Sequence, residues 1–395
     1  MTTITLTLLP TAEPALAKLR ALLDEFGARH ALQVDLQILE WSDAWAAYTR
    51  YATYGDGPDV SEVGSTWVSP LAAMQALRPF TLADLAPIGG VDAFHNPLWR
   101  AGFGGGAAWA VPWWVDTRLI WYWRDALESA GIAEAGAFDT HERFVATLGR
   151  LQAAGAPGWV VTTRPSAVTL QNAASWVWAY GGDILNASGD RVEIAEPAAL
   201  AGLKAFFGLA RFIAPELGGQ TDVDSDRAFA ERRAGVTVAG PWLSDTILAE
   251  SGSVGLARVG MASLPGWSFV GGSSLVIWRR SLQELAAVDL IRFMNSQPFV
   301  HALARMGGGL PSRLDVLTDP GLLEDRLFRA QSASALRGRA FAGTRLWTTI
   351  ETQLSDALAA IWRDVLAQPK ATVTDELLLR RLQPVVKRLN NMRAT

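Results

Sequence analysis

Residues 108–132 read AWAVPWWVDTRLIWYWRDALESAGI and hold five tryptophans in one short apolar run. Leu119, Trp121 and Trp123 alternate with their neighbours as in a strand that is buried on at least one face. Pro112 precedes this strand, and proline is typical of a strand edge or of a crossover between domains. We interpret the stretch as a strand that enters a second domain, with the indoles before it lining a cleft.

The composition limits the class of protein. A chain of 395 residues predicts two to three domains, because single cores rarely grow past about 250 to 300 residues. Hydrophobic residues make up 50% and charged residues 19%, as expected of a folded chain. A net charge of -4 without a basic cluster gives no reason to expect a nucleic-acid partner. The absence of cysteine excludes disulfides, zinc–cysteine sites and thiol catalysis, and is compatible with an oxidising compartment.

Neither a metal nor a cofactor is predicted. The histidines lie far apart in the sequence, at His30, His95, His141 and His301. A calcium-loop spacing is suggested by Asp222, Asp224 and Asp226. Arg227 stands where that loop needs glycine and Arg233 where it needs glutamate, so we interpret the acids as a solvated helix start. Gly102, Gly104 and Ala107 match a dinucleotide fingerprint, but a Trp-rich strand follows instead of the helix that would bind a pyrophosphate.

The chain contains no run of about 18 apolar residues, so no transmembrane helix is predicted. Its N-terminus lacks the basic start and small-residue cleavage site of a signal peptide. Either the protein is cytoplasmic or its export signal is absent from this chain. Strand-like alternation begins almost at Met1, as it would if Met1 had replaced a removed leader.

The first forty residues predict a parallel α/β unit. Apolar residues alternate over 4–8, recur at helical spacing over 16–26 to an end near Gly27, and alternate again over 32–38. Residues just past the second strand then lie where ligands bind in open α/β sheets. Trp67 and Trp242 each follow a later predicted strand in the same way.

Seventeen tryptophans are several times the average number, and we divide some of them into two groups. Those embedded in alternating apolar runs are predicted to lie in the core, namely Trp109, Trp121, Trp159 and Trp278. Those beside turns, prolines or polar clusters are predicted to contact ligand, namely Trp41, Trp67, Trp113, Trp114, Trp242 and Trp267. An indole that stacks on the C–H face of a pyranose contributes roughly 1 to 3 kcal/mol through buried apolar area.

Polar groups would supply specificity by hydrogen-bonding the hydroxyl rim of the sugar, since an unpaired polar group in a closed cleft costs about 1 to 3 kcal/mol. The polar candidates are Glu40, Asp43, Asp116, Asn172 and Arg313. Gly272 and Ser273, in the glycine-rich segment WSFVGGSSLVIW, complete the predicted ligand-binding set. Two such acids could also cleave a glycosidic bond, but no acid stands in a recognisable catalytic context and no catalytic motif is present.

Four stretches, in this order, resemble one family. They are the opening strand–helix–strand up to Glu40 and Trp41, PDVSEVGSTWV at 58–68, the stretch at 108–132, and FAERRAGVTVAGPW at 229–242. The chain resembles the carbohydrate-binding, extracytoplasmic solute receptors of bacterial ABC importers, the group that includes maltose-binding protein. In the family, aromatics in the positions of Trp67 and Trp242 stack on sugar. The chain departs from the family pattern at Trp123 and Arg124, where an asparagine and a lysine are usual.

The resemblance implies a fold and a division into lobes. The fold is α/β, the two-lobed type II periplasmic-binding-protein fold, in which each lobe is a mixed sheet flanked by helices and a hinge joins the lobes. We expect an N-terminal lobe of residues 1–110 and 261–309 and a C-terminal lobe of residues 111–260 and 310–395. Crossings are expected near Val111, Gly260 and Gly309.

The implied function is binding of a sugar or oligosaccharide between the lobes, closure around it, and delivery to an ABC importer. The expected partners are a carbohydrate and the membrane permease subunits, and the receptor is expected to be a monomer without enzymatic activity. Its expected location is extracytoplasmic, in the periplasm or lipid-anchored outside the membrane. Two alternatives stay open: the same fold with a polyamine, peptide or sugar phosphate as cargo, because aromatic cages also hold cations, and a glycoside-active hydrolase.

Overall fold

A computed structural model describes residues 2–156, 158–307 and 309–393. Its strands are β1 (Thr2–Leu8), β2 (Leu32–Ile38), β3 (Val60–Gly64), β4 (Leu77–Arg78), β5 (Phe103–Gly104), β6 (Ala107–Ala108), β7 (Val111–Thr117), β8 (Leu119–Trp123), β9 (Trp159–Val160), β10 (Val236–Ala239), β11 (Val259–Ala262), β12 (Val270–Trp278) and β13 (Leu310–Pro311).

The helices are α1 (Glu13–His30), α2 (Trp41–Tyr54), α3 (Val68–Ala73), α4 (Leu82–Leu85), α5 (Asn96–Ala101), α6 (Arg124–Ser129), α7 (His141–Ala153), α8 (Ala167–Ala179), α9 (Pro197–Phe207), α10 (Asp222–Ala230), α11 (Leu243–Ala257), α12 (Glu284–Met294), α13 (Gln297–Ala304), α14 (Leu314–Leu317), α15 (Arg326–Leu336), α16 (Trp347–Ala367) and α17 (Asp375–Arg393). Short 3-10 helices lie at Ser65–Trp67, Ala86–Ile88, Val91–Ala93, Gly208–Phe212 and Pro215–Leu217.

The chain divides into two compact units. The first unit comprises Met1–Asp116, Val270–Ser332 and Ala340–Thr348, and the second comprises Thr117–Phe269, Ala333–Arg339 and Thr349–Thr395. These bounds differ from the predicted lobes over residues 111–116, 261–269, 310–332 and 340–348. The reason is strand pairing: β13 pairs with β7 in the sheet of the first unit, while β11 pairs with β8 in the sheet of the second.

The sheet of the first unit has the strand order β13-β7-β12-β3-β1-β2, and β4 pairs with β12. β1 is parallel to β2 and β3, whereas β12 is antiparallel to β3, so the sheet is mixed. The predicted parallel strand–helix–strand unit is confirmed, although α1 runs three residues past Gly27 to His30. Ile4, Leu6 and Leu8 of β1 are buried in the core. The carboxyl ends of β2 and β3 lead directly into α2 and into the 3-10 turn that carries Trp67.

The sheet of the second unit has the strand order β11-β8-β10-β9. β8 is antiparallel to β10 and β11, and β9 is parallel to β10, so this sheet is also mixed. Every residue of β8 is buried, which confirms and extends the predicted burial of this strand.

The predicted core tryptophans are largely confirmed. Trp121, Trp159 and Trp278 are buried. Trp109 is only partly buried, and its indole nitrogen donates to the carbonyl of Gly104 at 2.9 Å.

Candidate functional site

The predicted ligand-binding residues fall in both units. The first unit holds Glu40, Trp41, Asp43, Trp67, Trp113, Trp114, Asp116, Gly272, Ser273 and Arg313. The second unit holds Asn172, Trp242 and Trp267.

Rings from α2 and from the turn after β3 form a cluster in the first unit, which we call the aromatic wall. It comprises Trp41, Trp45, Tyr48 and Trp67. The ring centroid of Trp67 lies 5.7 Å from that of Trp41, 5.8 Å from that of Trp45 and 6.0 Å from that of Tyr48. Trp41, Trp45 and Tyr48 share one face of α2, because residues spaced by four and seven positions align on a helix.

Access to the aromatic wall is greatest at Trp41, which is 50% exposed. Trp67 is partly exposed and packs over Gly64, where a Cβ atom would lie 3.2 Å from the indole Cδ2. The aromatic wall therefore presents indole surface to solvent at the carboxyl ends of the strands.

Two exposed acids flank Trp41. The carbonyl of Glu40 accepts hydrogen bonds from the backbone N–H groups of Asp43 and Ala44, each at 3.0 Å, so Glu40 is the N-cap residue of α2. The side chains of Glu40 and Asp43 are both exposed beside the helix N-terminus. Carboxylates are stabilised at this end of a helix and have acceptor capacity free for hydroxyl groups. Asp116, at the end of β7, is partly exposed.

A buried carboxyl lies behind the aromatic wall. Glu62, on β3, is 5% exposed. Its Oε1 accepts from the Ser273 hydroxyl at 2.5 Å, and its Oε2 accepts from the backbone N–H of Leu9 at 2.9 Å. The Tyr48 hydroxyl donates to the Glu62 backbone carbonyl at 2.5 Å. Burial raises the pKa of Glu62 to about 7, against the opposing effect of the hydrogen bonds from Ser273 and Leu9.

Sequence reasoning did not select Glu62. The available signal was an acid between Val60 and Val63 in a short strand, which a polar partner on a neighbouring strand must stabilise if the strand is buried. That partner, Ser273, was selected as a ligand residue, but its hydroxyl is buried and bonded to Glu62.

Trp113 and Trp114 have different environments on β7. Trp113 is 3% exposed and belongs to the core of the first unit. Trp114 is partly exposed, and its ring centroid lies 4.8 Å from that of Trp113. Trp114 packs against the same core cluster as Trp113. Burial leaves little of the Trp113 side chain for a ligand to contact, and the ligand roles of both indoles stay predictions.

Arg313 is committed to the interior of the first unit. It is 9% exposed, and its Nη1 donates to the carbonyls of Ile88 at 2.9 Å and Asn295 at 3.0 Å. Its Nε and Nη2 donate to the Asp315 carboxylate at 3.0 and 2.7 Å. These contacts link α14, α12 and the 3-10 turn at Ala86–Ile88, so we remove Arg313 from the candidate set.

Gly272 has a backbone role. Its φ is +135°, and a Cβ atom there would lie 2.0 Å from the carbonyl oxygen of Trp114. Only glycine permits this close approach of β12 to β7.

A second cluster, which we call the Trp242 cluster, lies in the second unit and comprises Arg118, Asp226 and Trp242. Trp242 lies three residues past the end of β10, so its predicted position after a strand is confirmed, and it is the N-cap residue of α11. Its Nε1 donates to Asp226 Oδ2 at 2.6 Å. The guanidinium carbon of Arg118 lies 4.7 Å from the centroid of the Trp242 ring, in cation–π contact.

Asp226 differs from its predicted role. The acids at the start of α10 were interpreted as solvated, and Thr221 and Asp224 do form an exposed capping box, but Asp226 is only 7% exposed. Burial raises its pKa to about 7; the nearby Asp222 acts in the same direction, and Trp242 and Arg118 oppose it. The burial of Asp226 could have been read from its position one turn before Phe229, on the buried face of α10.

The remaining candidates of the second unit are Asn172 and Trp267. Asn172, on α8, is fully buried, and among the described residues neither its amide nitrogen nor its oxygen has a hydrogen-bond partner. Trp267 is 47% exposed between β11 and β12. Its neighbour Gly266 packs against Ala179. The ligand roles of both stay predictions.

Over the described ranges, no cluster of three or more histidine, aspartate or glutamate side chains could hold a metal ion. A search of the same ranges finds no helix with the length and apolar character needed to cross a membrane.

Comparison with known proteins identifies the family. Residues 21–330 match the model of the bacterial extracellular solute-binding proteins. The chain belongs to this family. Membership of a family of extracellular proteins agrees with the predicted extracytoplasmic location. The solute-binding protein is 24% identical over 304 residues to the diacetylchitobiose binding protein DasA of Streptomyces coelicolor, covering 73% of this chain and 68% of DasA.

Solved structures share the fold of this solute-binding protein. The sugar-binding protein MalE from Xanthomonas citri has a TM-score of 0.84 at 20% identity, covering 100% of this chain and 98% of that one. Maltose-bound MalE3 from T. maritima has a TM-score of 0.81 at 23% identity, covering 98% and 100%. The predicted type II periplasmic-binding-protein fold is therefore confirmed.

Proposed function

We propose that the chain is an extracytoplasmic receptor that binds a neutral sugar or oligosaccharide and delivers it to the permease subunits of an ABC importer. Membership of a solute-binding family supports the receptor role. DasA binds diacetylchitobiose, MalE3 is bound to maltose and MalE of Xanthomonas citri is a sugar-binding protein, which supports a carbohydrate as the solute.

The observation that carries the proposal is the aromatic wall of the first unit. A half-exposed Trp41 with Trp67 against it offers flat apolar area on which the C–H face of a pyranose can stack. Glu40 and Asp43, exposed beside Trp41, can accept hydrogen bonds from the hydroxyl rim. A planar apolar surface bordered by acceptors is the chemistry that an uncharged sugar requires. In the second unit, Trp242 and the exposed Trp267 are the corresponding proposed platforms.

The same acids favour one alternative cargo. Two carboxylates next to indole faces also suit an organic cation, which an aromatic cage and negative charge would hold together. A polyamine is therefore the second candidate solute.

Three further points belong to the proposal. The chain binds its solute without chemical turnover, acts as a monomer, and works outside the cytoplasm. Binding between the lobes and their closure on the solute stay predictions of the family resemblance. Small-angle scattering with and without a tight ligand tests closure, and an unchanged radius of gyration would contradict it.

A thermal-melt screen tests the proposed function. The purified chain is melted with maltose, diacetylchitobiose, other neutral mono- and oligosaccharides, spermidine and short peptides. A ligand at one hundred times its Kd adds about 2.7 kcal/mol, which raises the Tm by roughly 5 to 10 °C for domains of this size. We expect a shift with one class of sugar and no new reducing ends after prolonged incubation. A shift with spermidine alone would replace the sugar with the cation, and sugar cleavage would make the protein an enzyme.

A further inference from the structure

The indole of Trp242 is fixed by contacts that are independent of any ligand. Its nitrogen donates to Asp226, and Arg118 lies over its ring. The six-membered ring also covers Gly240, where a Cβ atom would lie 2.0 Å from Cζ3. A hydrogen bond at the edge of the indole and contacts on its ring leave the side chain one orientation.

Arg118 is itself anchored. It is 1% exposed, and its guanidinium donates to the side chain of Gln171 on α8 and to the carbonyl of Thr117 at 3.2 Å. Its backbone N–H donates to the Phe269 carbonyl at 3.3 Å, and its carbonyl accepts from the Ser334 hydroxyl at 3.1 Å. Gln171 thus holds the guanidinium over Trp242, and Phe269 and Ser334 hold the Arg118 backbone, which makes Arg118 a rigid neighbour.

Asp226 supplies the directional contact. A carboxylate that accepts from an indole N–H forms a charge-assisted bond, which is stronger than a bond between neutral groups. The Trp242 indole donates to this buried side chain at 2.6 Å, and Arg118 is the nearby cation. Burying an acid costs stability, and these two interactions offset part of that cost while they fix the indole.

We propose that Asp226 is the positioning residue of Trp242, holding the indole in the orientation in which it serves as a sugar platform. The inference rests on the proposed function, since it assigns Trp242 to the sugar. An indole already ordered before binding loses no rotamer freedom when the sugar stacks on it, and this preorganisation raises affinity. Asp226 acts through Trp242 and does not itself touch the sugar.

A double-mutant cycle tests this assignment. Kd values for maltose and diacetylchitobiose are measured for the wild type, Asp226→Ala, Trp242→Phe and the double variant. Phenylalanine keeps an aromatic face but has no N–H to donate. We expect Asp226→Ala to weaken binding by about 2- to 10-fold with Trp242 present and by less than about 2-fold in the Trp242→Phe background. Equal losses in both backgrounds would mean that Asp226 acts on the sugar or on the fold, and would overturn the proposal.

Asp226→Asn is the conservative variant. Its amide oxygen can accept the same indole N–H, so the affinity is expected to stay within about 2-fold of wild type. A loss as large as that of Asp226→Ala would contradict the positioning role.

A readout that needs no ligand separates this inference from the proposed function. The indole N–H signal of Trp242 in a ¹⁵N spectrum is assigned by its disappearance in Trp242→Phe. We expect Asp226→Ala to shift this signal and to speed its exchange with solvent, and Asp226→Asn to preserve it. An unchanged signal in Asp226→Ala overturns the positioning role whether or not a sugar binds. If no sugar binds to the wild type but Asp226→Ala changes the indole signal as expected, only the proposed function is overturned.

Discussion

The Ser273 hydroxyl donates a 2.5 Å hydrogen bond to Glu62 Oε1, which joins β12 to β3 through a buried acid. This bond connects two central strands of the first unit directly behind the aromatic wall. Because the acid is inside the protein, its ionisation is linked to folding.

Stability is expected to fall as the pH rises through the titration of Glu62. Burial raises its pKa from 4.5 to about 7, so the folded state holds the proton more tightly than the unfolded state. The contribution is fully present below about pH 4.5 and is lost by about pH 7, a decrease of about 3 kcal/mol in unfolding free energy. Urea denaturation at intervals from pH 4.5 to 8 measures it. Asp226, with a pKa also raised to about 7, adds a decrease of the same sign.

Glu62→Gln isolates the contribution of Glu62 to the pH dependence of stability. The amide imitates the protonated acid, accepting from Leu9 and donating to Ser273. We expect this variant to show a smaller decrease with pH and to be more stable than wild type at pH 8. An unchanged slope would show that Glu62 is not the titrating group.

Ser273→Ala is expected to destabilise the protein by about 1 to 3 kcal/mol at pH 8, because it leaves the Glu62 carboxylate without one of its donors. The neighbouring Ser274 provides a matched control. It is also fully buried, but its hydroxyl has no hydrogen-bond partner among the described residues. Ser274→Ala should therefore change the unfolding free energy little in the same urea titrations. Equal effects of the two substitutions would argue that the lost bond is not the cause.

Trp41→Ala is expected to weaken sugar binding by roughly 5- to 100-fold, because it removes the most exposed face of the aromatic wall. The unfolding free energy should fall by about 1 to 2 kcal/mol, since the other half of the side chain is buried, in part against Trp67. Tyr54→Ala is the control, because Tyr54 is 70% exposed and ends the same helix. Calorimetric titration of maltose and diacetylchitobiose into both variants measures the change in affinity. Loss of affinity in both, or in neither, would remove Trp41 from the site.

Arg313→Lys is expected to destabilise the protein by about 2 to 4 kcal/mol and to leave the Kd for sugar unchanged. A lysine cannot reproduce the planar set of bonds to Ile88, Asn295 and Asp315. Arg29→Lys is the control, because its side chain is 64% exposed and should affect stability by less than about 0.5 kcal/mol. A selective loss of sugar affinity in Arg313→Lys would return Arg313 to the ligand-binding set.

Features that depend on neighbouring residues in the sequence were predicted correctly. Trp67 and Trp242 follow β3 and β10, because a strand end and the turn after it can be recognised from neighbouring residues. The acids Glu62 and Asp226 were not recognised as buried, because their burial depends on Ser273 and Trp242, which lie far away in the sequence.

The predicted lobe bounds differ from those of the two compact units for a similar reason. Pro311 returns to pair with Trp114 in the sheet of the first unit, and no local pattern at residue 311 indicates that partner. The burial of Trp113, which was predicted to contact ligand, has the same cause, because no local pattern shows which side chains of β7 meet the core.

The interleaving of the two units has a consequence for biosynthesis. The first unit includes residues 340–348, so it cannot be completed until about nine tenths of the chain has left the ribosome. Domains generally fold as whole units during synthesis, N-terminal first, but here the N-terminal unit must wait for its last segment. The nascent chain therefore stays without a finished domain for most of its translation, and any chaperone that meets it during that time meets an unfolded chain.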